Sequence, residues 1–147
     1  MSPDLAVILA NLAAAFFMAG MIWTIQIVHY PLLREVGADA FPVYESEHQG
    51  RIAALIAAPW AIEILAAITL VVWRPEEVTA YLTWAGLLIA LALPALTLFV
   101  FAPIHRELSD GFITQAYQRL VSLNWIRTAL WSAHAIVAAA ILVQYVE

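Results

Sequence analysis

Gln26, His29, Tyr30 and Pro31 fall in the last two turns of a long apolar run, and Glu45, His48, Gln49 and Arg51 open the next one. A membrane anchor needs only Trp or Tyr at such a place, so these polar side chains are candidates for chemistry. Imidazole changes charge near neutral pH and is the commonest metal ligand. His29, His48 and His105 could therefore move a proton, hold a metal or, as a pair, ligate haem. Glu45 and His48 have the i, i+3 spacing by which di-iron bundles present a carboxylate and an imidazole from one turn, but such a centre needs that spacing on two helices. The metal candidates are His29, Glu45, His48 and His105, and the alternative is simple pairing of interfacial His with nearby Glu or Arg. Haem is the weaker reading, because no two His share an obvious depth on facing runs.

A second constellation lies in the last apolar run, where Asn124, Arg127, Trp131 and His134 follow one another at intervals of three, four and three residues. At about 100° per residue they share one helix face, which must look into protein. Arg127 with Asn124 could clamp a carboxylate, carbonyl or phosphate; otherwise Arg127 snorkels to the interface. Glu63 and His134 each sit deep within their runs. An ionisable group at mid-membrane costs about 2.5–3.5 kcal/mol, so each must face the bundle interior as a structural hydrogen bond or as a proton acceptor or ligand contact. His134 and Thr97 are the partners nearest to Glu63 in depth.

The elements that position these residues follow from composition. Of 147 residues 65% are hydrophobic and 12% charged, with a mean hydropathy of +0.88. A soluble domain is about half apolar and a quarter charged, so this chain belongs in a lipid bilayer. Cysteine is absent, which excludes disulfides, thiolate metal sites and a Cys nucleophile. A net charge of −5 argues against a nucleic-acid surface. About 20 apolar residues cross a bilayer core, and four runs meet that length, at about 5–30, 51–73, 78–102 and 120–146. The first lacks the basic start of a cleaved signal peptide and is too long for one. Polar connections at 31–50 and 103–119 separate spans, the former expected as short helical pieces on the membrane surface. Ala53-Ala54 and Ala57-Ala58 would let helices approach closely. The expected fold is all-α, an integral membrane antiparallel four-helix bundle in a single domain, 1–147.

Pro31-Leu32-Leu33-Arg34-Glu35 recurs as Pro103-Ile104-His105-Arg106-Glu107, 72 residues on. Either two short interfacial segments are alike by chance, or the chain is two tandem helical hairpins with pseudo-two-fold symmetry along the membrane normal. Arg34, Arg51, Arg106 and Arg119 fall on one side of the membrane and Arg74 on the other. The positive-inside rule then places both long connections in the cytoplasm and both termini outside an inner membrane. His29, His48, His105, Asn124 and Arg127 all converge on that cytoplasmic end.

At Gln26-x-x-His29-Tyr30-Pro31, His48-x-x-Arg51 and Asn124-Trp125-x-Arg127-Thr128 the chain resembles small uncharacterised four-span bacterial membrane proteins. More distantly it is similar to the anthrone-oxygenase-like family, whose pattern has Pro-x-Asn-x-x-Leu after the third span and Arg-Thr entering the fourth. Pro103, Leu108, Arg127 and Thr128 match, while His105 stands at the Asn position. The resemblance implies an oxygenase-like or small-molecule site at the cytoplasmic end.

The site expected from all this has His29, His48, Glu63, His105 and Arg127 as catalytic candidates and Gln26, Tyr30, Arg51, Asn124, Trp131 and His134 as binding candidates. The expected function is a small-molecule or cofactor site at the cytoplasmic end, for which redox chemistry on a lipophilic substrate is one use. The alternatives are a non-catalytic subunit or assembly factor of a membrane complex, or a homo-oligomer with the same polar end as its contact, and a metal-binding membrane protein.

Overall fold

The computed structural model describes residues 1–147, and every regular element in it is helical. Four rods, α1 (Pro3–Glu35), α2 (Phe41–Val72), α3 (Ala80–Ser109) and α4 (Thr114–Val146), are each long and apolar enough to cross a membrane. The chain is a multi-pass membrane protein. Each rod packs on its sequence neighbours and α1 closes the ring against α4, giving an antiparallel four-helix bundle.

Local sequence sets the ends. Ser2 Oγ accepts the Leu5 N–H at 3.1 Å, with Pro3 in the first turn and Asp4 behind it, a favoured N-terminus because the cap satisfies an orphan donor and Pro has none to lose. Ser2 Oγ also bonds the Tyr145 hydroxyl at 2.7 Å. The start of α3 is tied to the same end of α4, since the Thr79 N–H and hydroxyl both donate to Gln144 Oε1 at 3.0 Å. Gly111, with φ 149°, makes the turn from α3 to α4 in a conformation that a side chain would oppose.

The rods are longer than the apolar runs. At 1.5 Å per residue, rods of 30–33 residues extend about 45–50 Å against a hydrocarbon core of about 30 Å. The expected surface-lying connection at 31–50 is therefore corrected: helical geometry persists to Glu35 and resumes at Phe41, so Glu45, His48 and Gln49 ride on a coaxial extension of α2. Likewise α4 begins at Thr114 rather than near 120. Pro59 lies inside α2 without ending it.

Two π-turns interrupt the rods, Ile25–His29 in α1 and Thr97–Phe101 in α3. Each ends two residues before a proline, Pro31 or Pro103. A helical proline lacks its N–H and its ring crowds the carbonyl four residues back; a wider turn at that point accommodates both deficits. The turns stand 72 residues apart, the interval of the sequence repeat, and the rods related by that interval sit at opposite corners of the bundle.

Small residues allow the close contacts, though not the expected ones. Ala15, Ala135 and Ala138 pack together, as do Ala67, Leu87 and Ala90, whereas Ala54, Ala57 and Ala58 are exposed and Ala53 borders a cavity. Phe99, Trp73 and Ile136 are among many large apolar side chains left exposed on the bundle surface, the outer covering that a bilayer solvates.

Candidate functional site

The polar residues sort into three buried groups, and the group at the end carrying the long extensions encloses space. There Glu45 on α2 is fully buried, and its Oε1 lies 2.5 Å from His105 Nδ1 on α3. A carboxylate accepts only, so it selects the tautomer with the proton on Nδ1 and leaves Nε2 as acceptor. His105 Nε2 is 3.1 Å from the Tyr30 hydroxyl on α1, which then donates to it. The result is a carboxylate–imidazole–hydroxyl chain contributed by three rods.

Gln49 secures this chain. Its Nε2 donates to Glu45 Oε1 at 3.2 Å and to Ser109 Oγ at 2.8 Å, and Ser109 Oγ donates to the His105 carbonyl at 2.9 Å. Gln49 is one turn beyond Glu45, and Ser109 one turn beyond His105, so each shares a face with the residue it supports. The sequence marks Gln49 only as one of the polar residues that open the second span and does not single out Ser109; the i+4 spacing is the available signal.

Tyr30 and His105 line a cavity of ≈ 260 Å³, together with His48, Gln49, Trp60 and Arg127. Its other walls are apolar: Met21, Ile25, Ile52 and Ile56 from α1 and α2, Phe101 and Ala102 from α3. The π-turns supply Ile25, Thr97 and Phe101 to that wall, so the helical irregularity forced by Pro31 and Pro103 borders the cavity. Arg127 is 6% exposed, with its guanidinium carbon 4.5 Å from the Phe101 ring centre and 5.3 Å from that of Trp131.

His29 is near but does not line the cavity. Its ring stacks on His48 at 4.3 Å, and both border an outer groove between α1 and α2 that also includes Phe16, Phe17, Gly20 and Leu55. The His29 and His48 rings are stacked, His48 and His105 are tilted at 5.8 Å, and no three His, Asp or Glu side chains converge as a metal-ligand set. Glu45 is engaged by His105 rather than presented beside His48.

The other expected residues lie elsewhere. Arg51 is exposed in a separate depression beside Tyr44 and pairs with Glu47 at 3.0 Å, so it takes no part in the cavity. Asn124 does not clamp with Arg127: its Nδ2 donates to Gln26 Oε1 at 2.7 Å, and Gln26 Nε2 donates to the Val121 carbonyl at 3.3 Å. That pair joins α4 to the π-turn of α1.

Glu63 forms the third group, separate from the cavity. Its Oε1 is 2.5 Å from His134 Nδ1, and its Oε2 accepts the Trp131 indole N–H at 3.2 Å. All three residues are wholly buried. Of the two partners expected by depth, His134 is the one present; the Thr97 hydroxyl instead donates to the Leu93 carbonyl. Gly86 of α3 closes over this group, for a Cβ there would lie 3.7 Å from His134 Nε2.

No family model, curated protein or solved structure matches the chain. The functional reading rests on the geometry of these groups and on the sequence resemblance.

Proposed function

We propose that the polar end of the bundle is a small-molecule site that transfers a proton to or from a lipophilic substrate as the opening step of an oxygenase-like reaction. The single observation that carries this reading is the Glu45–His105–Tyr30 chain reaching the wall of a largely apolar cavity. A hydroxyl that can pass its proton to an imidazole, itself held by a carboxylate, is a general base with its orienting groups in place.

An activated methylene of the anthrone kind suits such a base. Tyr30 would accept the methylene proton as its own proton moves to His105, leaving a carbanion delocalised onto the carbonyl oxygen. Dioxygen is the oxidant: one oxygen atom becomes the new carbonyl, and the other leaves as water with the two methylene hydrogens. Oxygen uptake by the purified protein in bilayer discs tests this directly. Anthrone should consume oxygen faster with the protein than with empty discs, in a one-to-one ratio with the quinone formed. The competing reading, a non-catalytic subunit of a membrane complex, calls for no acceleration and for steady co-purification with one complex.

In this reading the cavity faces the cytoplasm across an inner membrane. The support is the bias of four Arg on that side against Arg74 on the other. Ser46, Asp110 and Glu76 are exposed, and the chain has no Cys, so each can be replaced by a single Cys without background. Membrane-impermeant maleimide on intact cells should label Glu76→Cys and leave Ser46→Cys and Asp110→Cys unlabelled until the cells are opened. The reverse pattern would invert the topology.

A further inference from the structure

We infer that the cavity binds an anionic oxygen head group on Arg127, and that its ligand is a lipophilic monoacid whose apolar body lies in the groove between α1 and α2. This rests on the reading of the cavity as a small-molecule site and names the class of molecule that it takes.

The first observation is an unpaired cation. Arg127 takes part in none of the chain's ion pairs, and its buried Nε has no hydrogen-bond partner. The faces of Phe101 and Trp131 attend it, and the Tyr30 oxygen is its one polar neighbour. Cation–π contact offsets part of the cost of burying a guanidinium, but leaves the Nε donor unused, and buried donors without acceptors are costly. The guanidinium fork matches carboxylate and phosphate oxygens, and of the two a carboxylate is the smaller head group for the space beside Arg127.

The second observation is charge complementarity. Arg127 is the one Lys or Arg in the cavity lining, and no Asp or Glu lines it. Glu45 is withdrawn behind His105 and Gln49. An anion entering the cavity therefore meets the Arg127 cation with no facing carboxylate.

The third observation is a continuous apolar path. At ≈ 260 Å³ the cavity falls below the usual range of about 300–1,000 Å³ for a whole ligand, and so takes a head group. Met21, Ile25, His48 and Ile52 form a wall common to the cavity and to the outer groove of ≈ 600 Å³. That groove opens on the lipid-facing side, where an apolar body would already be dissolved. His48, stacked on His29, stands in that common wall.

The test is a binding measurement that needs no turnover. Trp23, Trp73, Trp84 and Trp125 are exposed and are replaced by Phe, leaving Trp60 in the cavity wall and Trp131 beside Arg127. In phosphatidylcholine discs at mildly alkaline pH, an ω-bromo fatty acid and its methyl ester are titrated as quenchers of the two remaining indoles. The acid should bind about ten- to a hundredfold more tightly than the ester, the range for a charged hydrogen bond. Arg127→Lys should keep part of that preference and Arg127→Gln should abolish it. Equal binding of acid and ester by the unsubstituted cavity, or full acid preference in Arg127→Gln, would overturn the inference. Displacement of the acid by an equal amount of phosphatidylglycerol would reassign Arg127 to lipid head groups and also overturn it. Loss of acid preference leaves the proton-transfer reading standing if anthrone turnover persists; loss of turnover with acid preference intact has the opposite meaning.

Discussion

His134→Leu should lower the free energy of unfolding in mixed micelles by about 3–5 kcal/mol, the range for removing one partner from a buried charged pair. Glu63 would keep only the Trp131 N–H at 3.2 Å in a place where no part of the side chain reaches solvent. Interhelical hydrogen bonds in membranes average about 0.6 kcal/mol, because the unfolded helices find other partners in the bilayer. The larger figure governs here, since the loss is not of one bond but of the group that compensates a carboxylate. Glu63→Leu combined with His134→Leu should recover more than half of the loss, as apolar replacement of a whole buried pair is often neutral or stabilising. The indole N–H of Trp131 would then be left without an acceptor, which keeps the recovery incomplete. Fluorescence-monitored unfolding of the two single variants and the double variant completes the cycle. A loss below about 1 kcal/mol in His134→Leu, additive with that of Glu63→Leu, would assign the group ordinary hydrogen bonding only.

This pairing was legible in the sequence because depth along an apolar helix is countable from its ends. Glu63 and His134 had to face inward, and few polar groups lay at their level. The four-helix bundle was legible for the same reason, since span length and hydropathy follow directly from bilayer thickness. Rotation and register between rods are not countable in that way. Glu45 could be seen as a carboxylate one turn before His48, but its bond to His105 depends on how α2 and α3 are turned toward each other. Arg127 and Asn124 share a face in the sequence, yet the helix face is wide enough for Asn124 to meet Gln26 while Arg127 meets the cavity. The π-turns left a partial signal in Pro31 and Pro103. A proline after a long apolar run reads as a helix end, whereas here the wider turn lets each rod continue past it.

The central claim is that Glu45, His105 and Tyr30 act together on a proton of a ligand in the cavity. Deuterium loss from the methylene of a deuterated anthrone, followed under anaerobic conditions, isolates that step from any reaction with oxygen. Positioned acid–base groups contribute about 10²–10⁴-fold, so Tyr30→Phe, which keeps the ring and removes the hydroxyl, should slow protein-dependent exchange by about 10²-fold or more. Glu45→Gln should slow it by a comparable factor, because an amide can donate as well as accept, so it no longer fixes the proton on Nδ1 and stabilises the imidazolium poorly. Circular dichroism and unfolding midpoints establish that both variants are folded as the parent is. A loss of about 10²-fold or more in both variants is the expected result; exchange at the parent rate in folded Tyr30→Phe would contradict the account.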